Sequence, residues 1–152
     1  MAEGWLRRRI VDPFIDLLKQ GITPEKLALS VALGVAIGVF PVLGSTTILC
    51  GIAAWALKLN IPAMQLVNFL VYPLQLALLI PFLQTGSKLF GSGQMNLTLA
   101  QVGALIRGDP WKAISVLGVA TLHGILLWMI LSPVAIAVIY FVLMPLLKKM
   151  RQ

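Results

Sequence analysis

The chain is built of long uncharged stretches separated by small clusters of charge. Residues 27–87 carry one charged side chain, Lys58. It divides two apolar runs, Leu27–Leu57 with 31 uncharged residues and Leu59–Ser87 with 29. Each run is interrupted near its middle by proline, the first at Phe40-Pro41-Val42-Leu43-Gly44 and the second at Tyr72-Pro73. Proline lacks an N–H and crowds the carbonyl four residues back, so each run is predicted to form two helical arms. An arm of roughly 12–14 residues is ~20 Å long at 1.5 Å per residue. A bilayer core is ~30 Å thick. Half-length helices at membrane depth are tolerated where protein or a wet cavity satisfies the freed backbone groups, and transporter sites are built this way.

A third apolar run, Ala113–Leu147, has 35 uncharged residues. One upright crossing needs ~20. Ser132-Pro133 offers a cap and a first helical residue in mid-run. The pattern predicts two spans, 111–131 and 133–149, joined by a tight turn; one long Pro-kinked helix is the alternative. The remaining elements are shorter. Residues 5–20 read as an amphipathic helix, with Leu6, Ile10, Phe14, Leu17 and Leu18 at helical spacing and a kink point at Pro13. Gly21 ends it, and Thr23-Pro24-Glu25 supplies cap, first position and acidic first turn of the next helix. Residues 86–96 read as a loop, and 97–107 as a short helix with Thr98 as a cap. The predicted fold is all-α and polytopic: an interfacial helix over 1–22, then one membrane domain over 23–152. That domain holds broken helical hairpins at 27–57 and 59–87 and a helix pair at 111–149.

Composition turns this pattern into a class. Hydrophobic residues make up 59% of the 152, and charged residues 11%. Soluble domains carry ~25% charged residues, so an integral membrane protein is expected. The net charge of +7 would suggest nucleic acid in a soluble chain. Here Lys and Arg flank the apolar runs, which points instead to positive-inside topology and anionic lipid. No nucleic-acid partner is expected. With every break folded as a hairpin, all Lys and Arg fall on one side, which places both termini in the cytoplasm. If each interrupted run instead spans as a broken helix, only Lys58 lies outside. The expected location is a prokaryotic inner membrane. Arg7-Arg8-Arg9 is followed by Asp12, Pro13, Asp16 and Lys19 rather than by an apolar core, so no signal peptide is read. The single Cys50 permits no intrachain disulfide.

The stretch Thr23–Gly86 carries Thr23-Pro24-Glu25-Lys26-Leu27-Ala28, then Gly34, Gly38, Phe40-Pro41, Gly44 and Thr46-Thr47. Leu59-Asn60, Pro62, Asn68 and Pro73 follow. In these residues the chain resembles a family of small prokaryotic membrane proteins, domain of unknown function 2062. The resemblance implies broken or re-entrant helices and no established activity. Many members place proline directly after the second asparagine, whereas Phe-Leu-Val-Tyr separates Asn68 from Pro73 here. A looser likeness is to DedA-type proteins, which resemble lipid carriers with re-entrant hairpins. The acidic residue of their turn is replaced by Ser45 in this sequence.

The candidate chemistry lies at the breaks. Gly44-Ser45-Thr46-Thr47 is the first candidate: Gly44 permits positive φ at the turn, and Ser45 or Thr46 can cap the following helix. A helix N-terminus with free N–H groups suits a phosphate or carboxylate; alternatively the hydroxyls simply satisfy a buried helix end. Asn68, Tyr72 and Gln75 share a face if the helix continues through Pro73. They are positioned either for a headgroup or for carbonyls freed by the break. The expectation is that both breaks, marked by Pro41 and Pro73, meet in one polar substrate site. His123, the only histidine, is either a relay or a neutral side chain bonded to a neighbouring carbonyl. The five acids, Glu3, Asp12, Asp16, Glu25 and Asp109, lie outside the apolar runs. No metal set, cofactor or catalytic constellation is therefore expected, and the chain is read as a non-enzyme. Two functions remain: a transporter-like or lipid-translocating protein, or an anchor that joins copies of itself or an envelope lipid or glycan enzyme.

Overall fold

The computed structural model describes residues 2–19, 22–91 and 99–151, and among these it is helical without strands. The N-terminal segment is α1 (Ala2–Leu6), a π-helical turn (Arg7–Val11) and α2 (Asp12–Lys19). The amide of Asp12 donates to the Arg7 carbonyl, one residue wider than an α-turn. Pro13, next in line, cannot donate to Arg9, and the wider turn accommodates that gap. Pro13 thus acts through a π-turn rather than a simple kink.

Helix α3 (Pro24–Gly38) starts as its sequence predicts. Thr23 is extended, its hydroxyl accepts from the Lys26 amide at 3.3 Å, and Pro24 follows in the first turn. The helix ends ahead of Pro41, and α4 (Thr46–Leu57) runs back along it. Ile37 of α3 packs with Cys50 and Ala54 of α4, so the first run is a hairpin. Lys58 ends α4 in the left-handed conformation, φ 54°. Its amide donates to Trp55 and that of Leu59 to Ala54, the paired bonds of a Schellman cap.

Helix α5 (Ile61–Leu70) then runs parallel to α3. Gly34 lies against Met64 and Val67, and Gly38 against Asn68 and Val71. The Gly34-x-x-x-Gly38 stripe therefore seats one run on the other, rather than joining the two arms of a hairpin. At the base of this packet, buried Ser30 donates to the Lys26 carbonyl at 2.7 Å and accepts from the Asn60 amide at 3.3 Å. After Val71 the chain continues as α6 (Tyr72–Phe90), bent by 62° from α5. The expected second hairpin is thus corrected to a bend. Val71 keeps a near-helical backbone, φ −88° and ψ 0°, so one residue redirects the chain without reversing it. The expected loop over 86–96 is also shortened, because Gly86–Phe90 belong to α6. The rest of that loop, the Thr98 cap and Gly21 lie outside the described residues.

Helix α7 (Leu99–Gly108) leads to α8 (Pro110–Arg151), a single helix of 42 residues. This corrects the expected C-terminal helix pair: Ser132-Pro133 lies inside a continuous helix. Reversal would need a loop of ~2–5 residues outside helical geometry. Pro133 removes one backbone bond, and the helix is held on both sides of that gap. Toward its C-terminus, Leu147 packs with Leu27, Ala28 and Ala63. Toward its N-terminus, Ala120 packs with Leu83 of α6, flanked by Val102 of α7. The correction changes the charge map. Lys112 and Lys148 stand ~54 Å apart along one helix, so the one-sided distribution of Lys and Arg disappears. By length and composition α8 can cross a membrane, and α5 with α6 is a second such unit if the bent pair is one span.

Candidate functional site: the junction of the two breaks

In an uninterrupted helix the Phe40 amide would donate to Ala36. Here it donates to Ile37 at 3.0 Å, which frees the Ala36 carbonyl. The indole N–H of Trp128, from the middle of α8, donates to that oxygen at 2.7 Å. Its ring also meets Phe40 edge-on, with centroids 4.8 Å apart. The carbonyl of Phe40 is freed in turn, because α3 has ended. It accepts from the Val42 amide and from Nε2 of Gln75, both at 2.8 Å. Gln75 stands in the first turn of α6 and is 1% exposed. The first break is thus closed by a side chain from beside the second break and by one from α8.

Turn residues complete the closure. Gly44 has φ +83°, a conformation a side chain would strain. Ser45 sits at the N-cap of α4, but its hydroxyl donates back to the Val42 carbonyl at 2.9 Å and makes no cap bond. Thr46 is buried and Thr47 exposed. Oγ1 of Thr47 accepts from Nδ2 of Asn68 at 3.3 Å, and its carbonyl accepts from Nε2 of Gln65 at 2.9 Å. Asn68 is buried beside Gly38. The Phe40–Gln75 and Thr47–Asn68 bonds therefore bring the two breaks together. Pro41 is buried, near Gly124 of α8.

Tyr72 and Pro73 do not join this cluster; both are exposed. The bend after Val71 separates Tyr72 from the face that Asn68 and Gln75 occupy. His123 is elsewhere too. It lies where α6 crosses α8, its carbonyl close against Gly86 and its ring near Gly91. Its Nδ1 is buried without a hydrogen-bond partner, as is Oγ of Ser87 in the adjoining turn of α6. Oε1 of Gln75 is likewise buried and unpartnered. It is an acceptor facing no donor.

Sequence reasoning did not single out Trp128, Ser30 or Asn60 as structural ties. Asn60 caps α5, its Oδ1 accepting from the Ala63 amide at 2.7 Å, and Asn60-Ile61-Pro62 is a readable start signal. The partner of Trp128 lies on α3, and the distant partner of Ser30 is the Asn60 amide at the start of α5, so no local pattern marks these ties. Among the described residues no three His, Cys, Asp or Glu side chains are grouped to hold a metal ion.

Comparison with known proteins gives a family and no activity. No curated protein and no solved structure matches the chain. A family model described as an uncharacterized protein conserved in bacteria matches residues 7–152, nearly the whole length, and the chain belongs to that family, DUF2062.

Proposed function

We propose that this chain is a small polytopic protein of the bacterial cytoplasmic membrane. In this reading the joined breaks form a transporter-like polar site for a small anion or a phospholipid headgroup. The observation that supports a membrane setting is a surface rich in large apolar side chains around a core that also holds polar ones. Phe141 is 72% and Trp55 79% exposed, whereas Gln75 and Asn68 are almost fully buried. Soluble proteins do not offer large contiguous apolar surfaces to water, and buried polar side chains are costly without partners. In lipid the outward Leu, Ile, Phe and Trp side chains are at no cost. The α3–α4 hairpin is ~20 Å deep, too short to cross ~30 Å of hydrocarbon, and is read as re-entrant.

The unpartnered Oε1 of Gln75 at the junction supports a site rather than mere closure. A phospholipid headgroup with an N–H or O–H donor would satisfy it, as an anion without one would not. Purified protein reconstituted in liposomes tests this: movement of fluorescent phospholipids or of small anions is expected to exceed that of empty vesicles and to fall in Gln75→Leu. Equal rates in all three preparations would rule the transport reading out.

A second reading has its own support. Ser45, Thr47 and Asn68 all spend their hydrogen bonds within the protein, which is what a rigid, non-catalytic anchor requires. In that case the exposed apolar face of α8, including Leu122, Met129 and Phe141, meets a second copy or a membrane enzyme of envelope lipid or glycan synthesis. Cross-linking in native membranes that captures a discrete partner on this face, together with silent liposomes, would select this reading.

A further inference from the structure

We infer that an anionic phospholipid binds at the base of the α3–α4 hairpin, with its phosphate between Lys26 and Lys58. This rests on the membrane reading above but uses a different place in the fold. A cavity of about 250 Å³ is lined by Ile22, Thr23, Lys26, Lys58, Leu59 and Asn60. Two lysines and no acidic residue line it. Among the described residues the ion pairs are Arg7–Asp12 and Lys148–Glu25, so neither Lys26 nor Lys58 is held in one. Thr23 and Asn60 are the N-caps of α3 and α5, so the positive ends of two helix dipoles add to the same potential.

Beside it lies a groove of about 610 Å³ that shares Lys26 and Leu59 with the first cavity. Its walls are Leu29 and Leu57 on one side and Pro133, Ile136 and Tyr140 of α8 on the other. Glu25 also lines it, paired with Lys148 at 3.9 Å. A cationic recess opening into an apolar trough matches a phosphate joined to an acyl chain. A soluble anion would leave the trough empty, and an apolar ligand would leave two lysines unpaired. Lys58 is also the one charged residue within the apolar stretch 27–87, placed where the left-handed cap turns the chain at the cavity wall.

The test uses the full chain in vesicles of phosphatidylcholine with a minor fraction of spin-labelled phosphatidylglycerol. Alkaline washing first establishes that the protein is embedded. Protein that washes off refutes the membrane reading, and the lipid site with it. For embedded protein, the motionally restricted phosphatidylglycerol signal is expected to exceed that of spin-labelled phosphatidylcholine. In Lys26→Gln/Lys58→Gln that preference falls about thirtyfold, from ~1 kcal/mol for each lysine near an anionic headgroup. The control Lys112→Gln/Lys149→Gln removes the same charge elsewhere and keeps the preference. Leu29→Trp, which fills the trough, lowers it without changing charge. Equal preference in wild type and Lys26→Gln/Lys58→Gln overturns the site while leaving the membrane reading intact. Displacement of the labelled lipid by equimolar inorganic phosphate also overturns it, and reassigns the cavity to a soluble anion.

Discussion

The indole of Trp128 donates to the backbone carbonyl of Ala36 across 92 positions of sequence. That bond takes the oxygen released when α3 stops short of Pro41, and it holds the middle of α8 against the tip of the first hairpin. Trp128→Phe keeps the ring and its edge contact with Phe40 but removes the donor. A carbonyl left unpaired in the interior costs ~1–3 kcal/mol. Thermal unfolding of the purified protein in mild detergent should show a lower midpoint for this variant.

Gly38 meets Val71 so closely that a Cβ has no room. Gly38→Ala should destabilise the protein by ~1–3 kcal/mol, the usual range for overpacking. Adding Val71→Ala removes the obstructing methyls and should recover part of that loss. A double-mutant cycle with a coupling near zero would mean that α3 and α5 do not touch here.

Gln75 separates closure from function. Gln75→Leu removes one donor from the Phe40 carbonyl, which keeps its bond from Val42. It also removes the unpartnered Oε1. The two effects oppose, so stability should change by less than ~1 kcal/mol, while transport in liposomes falls. A large loss of stability with unaltered transport would mark Gln75 as scaffold.

The continuity of α8 is a distance measurement. Spin labels at Ser115 and Leu146, both exposed, in a Cys50→Ala background, should lie ~46 Å apart along a straight helix. A hairpin at Ser132-Pro133 would bring them side by side, within ~20 Å allowing for the labels and a helix spacing of 8–10 Å.

Lys58 has φ 54° without being glycine. Left-handed backbone costs a side-chain-bearing residue ~1–2 kcal/mol. Lys58→Gly should therefore raise the unfolding midpoint, and at the same time weaken phosphatidylglycerol binding. A residue that costs stability where glycine fits is consistent with a lysine retained for its charge.

The local sequence determined where the helices begin and stop. Thr23-Pro24 starts α3, Pro41 ends it, Gly44 turns the chain and Pro73 interrupts the second run, each through a donor that is missing or a φ that only certain residues adopt. These signals act within four residues, so they were legible without the fold. Resemblance in the same residues identified the family. Tertiary packing decided what each interruption became. Both inner runs contain proline, yet the first folds back because α4 can pack on α3 and α5, while the second only bends. Ser132-Pro133 has the strongest break signal of the third run, and it is overridden because α8 is clasped by α6 on one side and α3 on the other. The site followed the same rule. Asn68 and Gln75 were recognised as polar residues beside a break, but their partners, Thr47 and Phe40, come from the other run. Tyr72 had the same credentials and was carried outward by the bend. A hydrogen-bond partner 35 positions away, as Phe40 is from Gln75, leaves no trace in local spacing; it exists only once the helices are packed.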